Sequence, residues 1–134
     1  MTSVLFLCNS NRGKSQMAAA LAKQHAPEWD VYSAGVQVSA PGIAGDINHE
    51  AAESLAAVGA DMAQGTPKPV DPELASQVEH VIVVGGADYD GPAERWDIED
   101  PSLRGVEGTQ RMNELRDDID SRVQELIARV NKQA

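Results

Sequence analysis

The segment Cys8-Asn-Ser-Asn-Arg-Gly-Lys-Ser15 joins a short apolar run, Val4 to Cys8, to a stretch of strong helix formers, Ser15 to His25. At such a junction backbone N–H groups gather at a helix N-terminus and can hold a tetrahedral anion. Cys8 stands at the head of the loop, and after five residues Lys14 supplies a cation. Both the helix N-terminus and the cation favour thiolate over thiol, the form that attacks. Ser15 adds a hydroxyl that can donate to the sulfur. The nucleotide-binding pattern G-x-x-x-x-G-K-[ST] shares Gly13-Lys14-Ser15 but has a bare glycine where this chain has Cys8, and no apolar run here ends in an aspartate to help hold Mg²⁺. Cysteine chemistry on an oxyanion therefore outweighs nucleotide binding. The plain alternative for Cys8 is a small buried hydrophobe closing a strand.

A second candidate is Asp100, in Asp100-Pro101, because a carboxyl group held over the anion can protonate a leaving oxygen. The other Asp-Pro pair, Asp71-Pro72, reads as a turn former. His25, His49 and His80 are scattered without metal-ligand spacing, so no metal is expected. Trp29 and Trp96 lie at expected strand starts and read as core.

The chain has 134 residues, of which 42% are hydrophobic and 24% charged, enough for one domain over 1–134 with its own core. Eleven Lys and Arg against 21 Asp and Glu give a formal charge of −10, which repels nucleic acid and anionic membranes. No apolar run approaches the roughly 20 residues of a membrane span, and no leader pattern opens the chain, so a cytoplasmic location is expected. A single cysteine rules out both an internal disulfide and a cysteine zinc cluster. Any thiol chemistry must take its second sulfur from another molecule.

The elements that position these residues follow from periodicity. Strands are expected over Ser3 to Cys8, Asp30 to Ser33, Val78 to Val84 and Arg95 to Ile98. Helices are expected over Ser15 to His25, Asn48 to Val58, a short stretch from Asp71 to Gln77, and Glu107 to about Lys132. In the last of these, Met112, Leu115, Ile119, Val123, Leu126, Ile127 and Val130 form one apolar stripe. Alternating strands and helices imply an α/β fold, a parallel sheet with helices on both faces and ligands at the carboxyl ends of the strands. The loop from Val36 to Gly45 and the stretch from Gly85 to Glu94 are the segments expected to shape a pocket there.

Val4-Leu-Phe-Leu-Cys8, Asn11, Ser15-Gln-Met-Ala18, Ser33-Ala-Gly35 and Asp100-Pro101, in this order and spacing, resemble the low-molecular-weight tyrosine phosphatase fold. Ser15-Gln-Met-Ala18 is closer to the arsenate reductases of that fold than to its phosphatases, which tend to have Ser-Pro-Met-Ala. The resemblance implies a single three-layer domain with a four-stranded parallel sheet in the order 2-1-3-4. It makes Cys8 the nucleophile and Asp100 the general acid. Asn9, Ser10, Asn11, Arg12, Gly13, Lys14 and Ser15 become the oxyanion loop, with Asn11 shaping it. Two departures stand out. The family's loop usually has arginine where this chain has Lys14, which keeps the charge and loses the two-pronged grip, and Arg12 either compensates or faces solvent. Thioredoxin-coupled relatives carry two further cysteines near the end of the third strand, where this chain has Gly85 and Gly86. The chain thus looks like the single-cysteine arsenate–mycothiol transferases. That likeness implies arsenate as substrate, mycothiol or alternatively glutathione as cosubstrate, and a mycoredoxin-type or glutaredoxin-type partner, with no bound cofactor. The residues do not fix whether arsenic meets Cys8 or the outside thiol first. A phosphatase of the same fold and a weakened oxyanion-binding regulatory module are the competing functions.

Overall fold

The computed structural model describes residues 2–38, 42–43 and 45–133. Its elements run β1 (Ser3–Cys8), α1 (Lys14–His25), β2 (Asp30–Gly35), α2 (His49–Ala56), α3 (Pro72–Gln77), β3 (His80–Val84), β4 (Glu94–Trp96), a 3-10 helix (Pro101–Arg104) and α4 (Gly108–Gln133). All strand pairs are parallel, and the sheet order is β2-β1-β3-β4, as the resemblance implies. No helix among the described residues is long and apolar enough to cross a membrane.

Because side chains alternate along a strand, β1 splits its apolar run between two cores. Val4 and Phe6 join Ile82, Val84 and Trp96 on the face covered by α1 and α4, whereas Leu5, Leu7 and Val83 face Val70, Leu74 and Ala75 around α3. Both faces are therefore covered, and β1 runs without polar interruption. In the apolar stripe of α4, Met112, Leu115, Ile119, Val123 and Leu126 are buried, and Ile127 and Val130 pack at its edge.

Several boundaries differ from the sequence reading. The fourth strand covers Glu94–Trp96 rather than Arg95 to Ile98, so Trp96 ends a strand instead of starting one; its ring packs on Phe6 with centroids 5.7 Å apart. The third strand begins at His80, because Val78 closes α3 by donating its N–H to the Leu74 carbonyl. Trp29 is buried as expected. His25 is a satisfied histidine, with Nε2 2.7 Å from Asp120 Oδ1. The Arg116 side chain on α4 is 13% exposed and donates to the Ser54 carbonyl.

Candidate active site

β1 ends at Cys8 and α1 begins at Lys14, so Asn9 to Gly13 must turn the chain inside one short loop. Asn11 makes the turn with φ 58°, a left-handed conformation that asparagine tolerates better than most residues. The loop carbonyls are tied elsewhere: Cys8 O accepts from Val36 N, Asn9 O from Gln37 N, and Arg12 O from Asn48 N. N–H groups at the start of α1 have no carbonyl one turn earlier to bind, which leaves them for an anion. Gly35 makes the packing possible, since a Cβ there would lie 2.6 Å from Asn9 O and 2.9 Å from Asn11 N. That close approach is the physical content of Ser33-Ala-Gly35.

Around the sulfur the hydrogen bonds have a direction. Asn11 Nδ2 donates to Ser15 Oγ at 2.8 Å, which turns the Ser15 hydroxyl proton toward Cys8 Sγ, 2.9 Å away. The Asn11 N–H reaches the same sulfur at 3.2 Å. Two donors thus converge on Cys8, which is 6% exposed, while Asn11 and Ser15 are fully buried. Donors aimed at a cysteine sulfur are the arrangement that suits a nucleophile.

Sequence reasoning missed the residues that hold Asn11. Its Oδ1 accepts from Lys68 N at 3.0 Å and Gln16 Nε2 at 3.3 Å, and Lys68 Nζ lies 3.5 Å away. Lys68 also bonds Ser33 Oγ and the Thr66 carbonyl, and burial together with nearby Lys23 pushes its ammonium pKa down. No local pattern connects positions 57 residues apart.

Cys8, Asn9, Ser10, Arg12, Gly13 and Lys14 open on a cavity of ≈ 470 Å³ that continues over Ala51, Ala87 and Met112. This falls within the roughly 300–1,000 Å³ of small-molecule sites and exceeds what a tetrahedral anion needs. Asn11 and Ser15 lie behind the sulfur rather than on the cavity wall. Of the segments expected to shape the pocket, Gly86 and Ala87 do line it. Val36 and Val38 instead line a separate hollow with Asp88 to Gly91, because the Val36 and Gln37 N–H groups are held by Cys8 and Asn9 carbonyls. Residues 39–41 and 44 of that expected loop lie outside the described residues.

Two charged residues have partners that the sequence did not announce. Arg12 lines the cavity, and its Nη1 binds both the carbonyl and the carboxylate of Asp46, at 2.6 and 2.8 Å. Asp100, expected over the anion as a proton donor, is not among the cavity-lining residues. Its carboxylate accepts Arg111 Nε and Nη2 at 2.8 and 2.7 Å and caps the 3-10 helix through Ser102 N. Arg111 first, and then the Ser102 N–H, hold this carboxyl well below the usual carboxylate range.

Lys14 occupies the cation position, and its side chain lies over Gly85. A Cβ on Gly85 would meet Lys14 Cδ at 3.3 Å and Nζ at 3.5 Å, and Gly85 itself has φ 91°. Lysine in the loop and glycine after β3 therefore share one space. Gly85→Ala is expected to cost about 1–2 kcal/mol through its positive φ. Gly86 has no positive φ, and a Cβ there meets nothing within 4 Å, so Gly86→Ala should stay within about 0.5 kcal/mol. Denaturant titration of the two variants checks the contrast; equal losses would remove the special role of Gly85.

A parallel α/β sheet whose first strand delivers a cysteine into a short loop at a helix N-terminus has the architecture of cysteine-dependent oxyanion proteins. The comparisons narrow it. Residues 3–93 match the low molecular weight phosphotyrosine protein phosphatase family, and the chain belongs to that family. The matched stretch includes the whole loop and ends before Asp100. Arsenate reductase from Bacillus licheniformis is 30% identical over 135 residues, covering 90% of this chain and 91% of the relative. A solved arsenate reductase in the phosphate-binding state is 28% identical, with TM-score 0.78, covering 96% of this chain and 98% of its own. The thioredoxin-dependent arsenate reductase of Corynebacterium glutamicum is 26% identical with TM-score 0.76, covering all of this chain (100%) and 64% of its own.

Proposed function

We propose that this protein is an arsenate reductase that works by thiol transfer. One observation carries the second half of that reading: Cys8 is the chain's single cysteine, so no internal sulfur can resolve an arsenic adduct. The arsenate reductase relatives support the first half.

The chemistry balances with an outside thiol. Arsenate binds the loop from Asn9 to Ser15 with Lys14 against its charge, over the Cys8 sulfur. The Cys8 thiolate attacks arsenic, and a hydroxyl leaves as water with the proton of the outside thiol; that thiolate then displaces Cys8 from arsenic, so the small thiol carries the adduct and the Cys8 thiolate is restored. A redoxin thiolate then attacks the sulfur of the adduct; the sulfur–arsenic bond breaks and its electron pair stays on arsenic. Arsenic(V) becomes arsenite, and the two sulfurs are oxidised to a mixed disulfide. The space beyond the loop, over Ala51, Ala87 and Met112, supplies room for the thiol. Mycothiol with a mycoredoxin-type protein is the proposed pair, and glutathione with a glutaredoxin-type protein is the alternative.

The test is arsenite production from arsenate, run with mycothiol and its redoxin, with glutathione and glutaredoxin, and with thioredoxin. Turnover confined to one small thiol is the expected result and names the cosubstrate. Turnover with thioredoxin alone would overturn thiol transfer. No turnover in any arm, together with hydrolysis of an aryl phosphate, would make the protein a phosphatase.

A further inference from the structure

We propose that Arg111 is a further oxyanion-binding residue of the Cys8 cavity and that Asp100 is the positioning residue that holds it there. The inference rests on reading the cavity as an oxyanion site, but its test requires no turnover. Arg111 projects from the first turn of α4 and lines the same cavity as Cys8 and Lys14. A cation in the first turn of a helix faces the positive end of the helix dipole, so helix stability does not explain it. Asp100 takes Nε and Nη2 of the guanidinium in a two-pronged grip, and among the described residues nothing accepts from the remaining Nη1. Glu107 and Glu50 act on Arg111 only through space.

A guanidinium clamped along one edge still has donors on another, pre-aimed and always charged. An always-charged guanidinium is what the loop gives up by having Lys14 in place of arginine. Arg12, on the same cavity wall, is tied to Asp46 through Nη1 alone, and its Nε and Nη2 have no partner among the described residues. With Nε and Nη2 held by Asp100, Arg111 brings the charge-assisted donor Nη1 to the cavity from α4, about a hundred residues along the chain from the loop. Side chains of Asp100 and Arg111 are each 29% exposed, so the pair is accessible to solvent and to a ligand entering the cavity.

Binding of inorganic phosphate, measured by calorimetry on the full chain, tests the proposal. Arg111→Met is expected to weaken binding about tenfold, the contribution of one charge-assisted hydrogen bond. Arg111→Lys, which keeps the charge and the fold, should weaken it about threefold. Asp100→Asn is the discriminating variant. Removing a carboxylate beside an anion site tightens anion binding on charge alone, whereas losing the clamp weakens it, by about threefold or more. The double variant should bind no worse than Arg111→Met, because Asp100 acts through Arg111. Unchanged affinity in both Arg111 variants would overturn the proposal. So would an Asp100→Asn protein that binds phosphate as well as the wild type or better while losing turnover, the signature of a proton donor. A wild-type protein that binds no phosphate would overturn the oxyanion site itself, and with it this inference.

Discussion

Cys8→Ser is expected to lower kcat/KM for arsenate by on the order of 10³-fold or more, while phosphate affinity stays within about threefold. The two halves rest on different atoms. Attack needs an anion on the side chain of residue 8, and a serine hydroxyl has no accessible anion at neutral pH. Binding needs the loop N–H groups and the Lys14 charge, neither of which changes. The backbone is equally insensitive, because the loop's shape depends on Asn11 and on carbonyls tied to Val36, Gln37 and Asn48 rather than on the sulfur. The hydroxyl can still meet Ser15, so thermal stability should move little. Parallel measurement of turnover and phosphate binding decides the matter. Turnover at the wild-type rate would reduce Cys8 to a small buried hydrophobe at a strand end. Equal loss of turnover and binding would mean that the sulfur shapes the loop rather than attacks.

What was legible beforehand divides along the range of the interaction. The β1 run, the helix formers after Ser15 and the α4 stripe are local signals, set by period and propensity, and they placed the loop between a strand end and a helix start. Capping was legible for the same reason: Asp71 and Asp100 both precede proline, and each accepts the N–H two residues on. What distinguishes them is not local. Asp71 stays a turn residue, while Asp100 meets a guanidinium brought back by α4, and no i,i+4 pattern announces a pair eleven residues apart across a 3-10 helix. A proton-donor role read from sequence does not foresee this arginine, whose two bonds lower the carboxyl pKa. Likewise Arg12 and Lys14 look equivalent as text. Asp46 engages the first, and glycine at position 85 makes room for the second.

Asn11→Ala is expected to cost about 3 kcal/mol of stability, a shift of roughly 10 °C in Tm for a domain of this size, and to disable the site as well. Asn11 serves three functions at once. Its backbone is left-handed at φ 58°, where alanine is strained by roughly 1–2 kcal/mol. Its Oδ1 receives the Lys68 and Gln16 donors, which alanine would leave without this acceptor in a buried place. Its Nδ2 occupies one lone pair of Ser15 and so sends the Ser15 proton toward Cys8. Two further substitutions separate these terms. Asn11→Gly removes the backbone strain and should recover about 1 kcal/mol without recovering turnover. Asn11→Asp keeps an acceptor for Lys68 and Gln16 but loses the donor to Ser15, whose hydroxyl proton then turns to the carboxylate and away from Cys8. Its stability should therefore exceed that of Asn11→Ala, while its turnover remains well below wild type. If Asn11→Asp turned over arsenate like the wild type, Ser15 would not need directing, and the hydrogen-bond chain to Cys8 Sγ would be a packing detail rather than the means by which the loop holds its nucleophile ready.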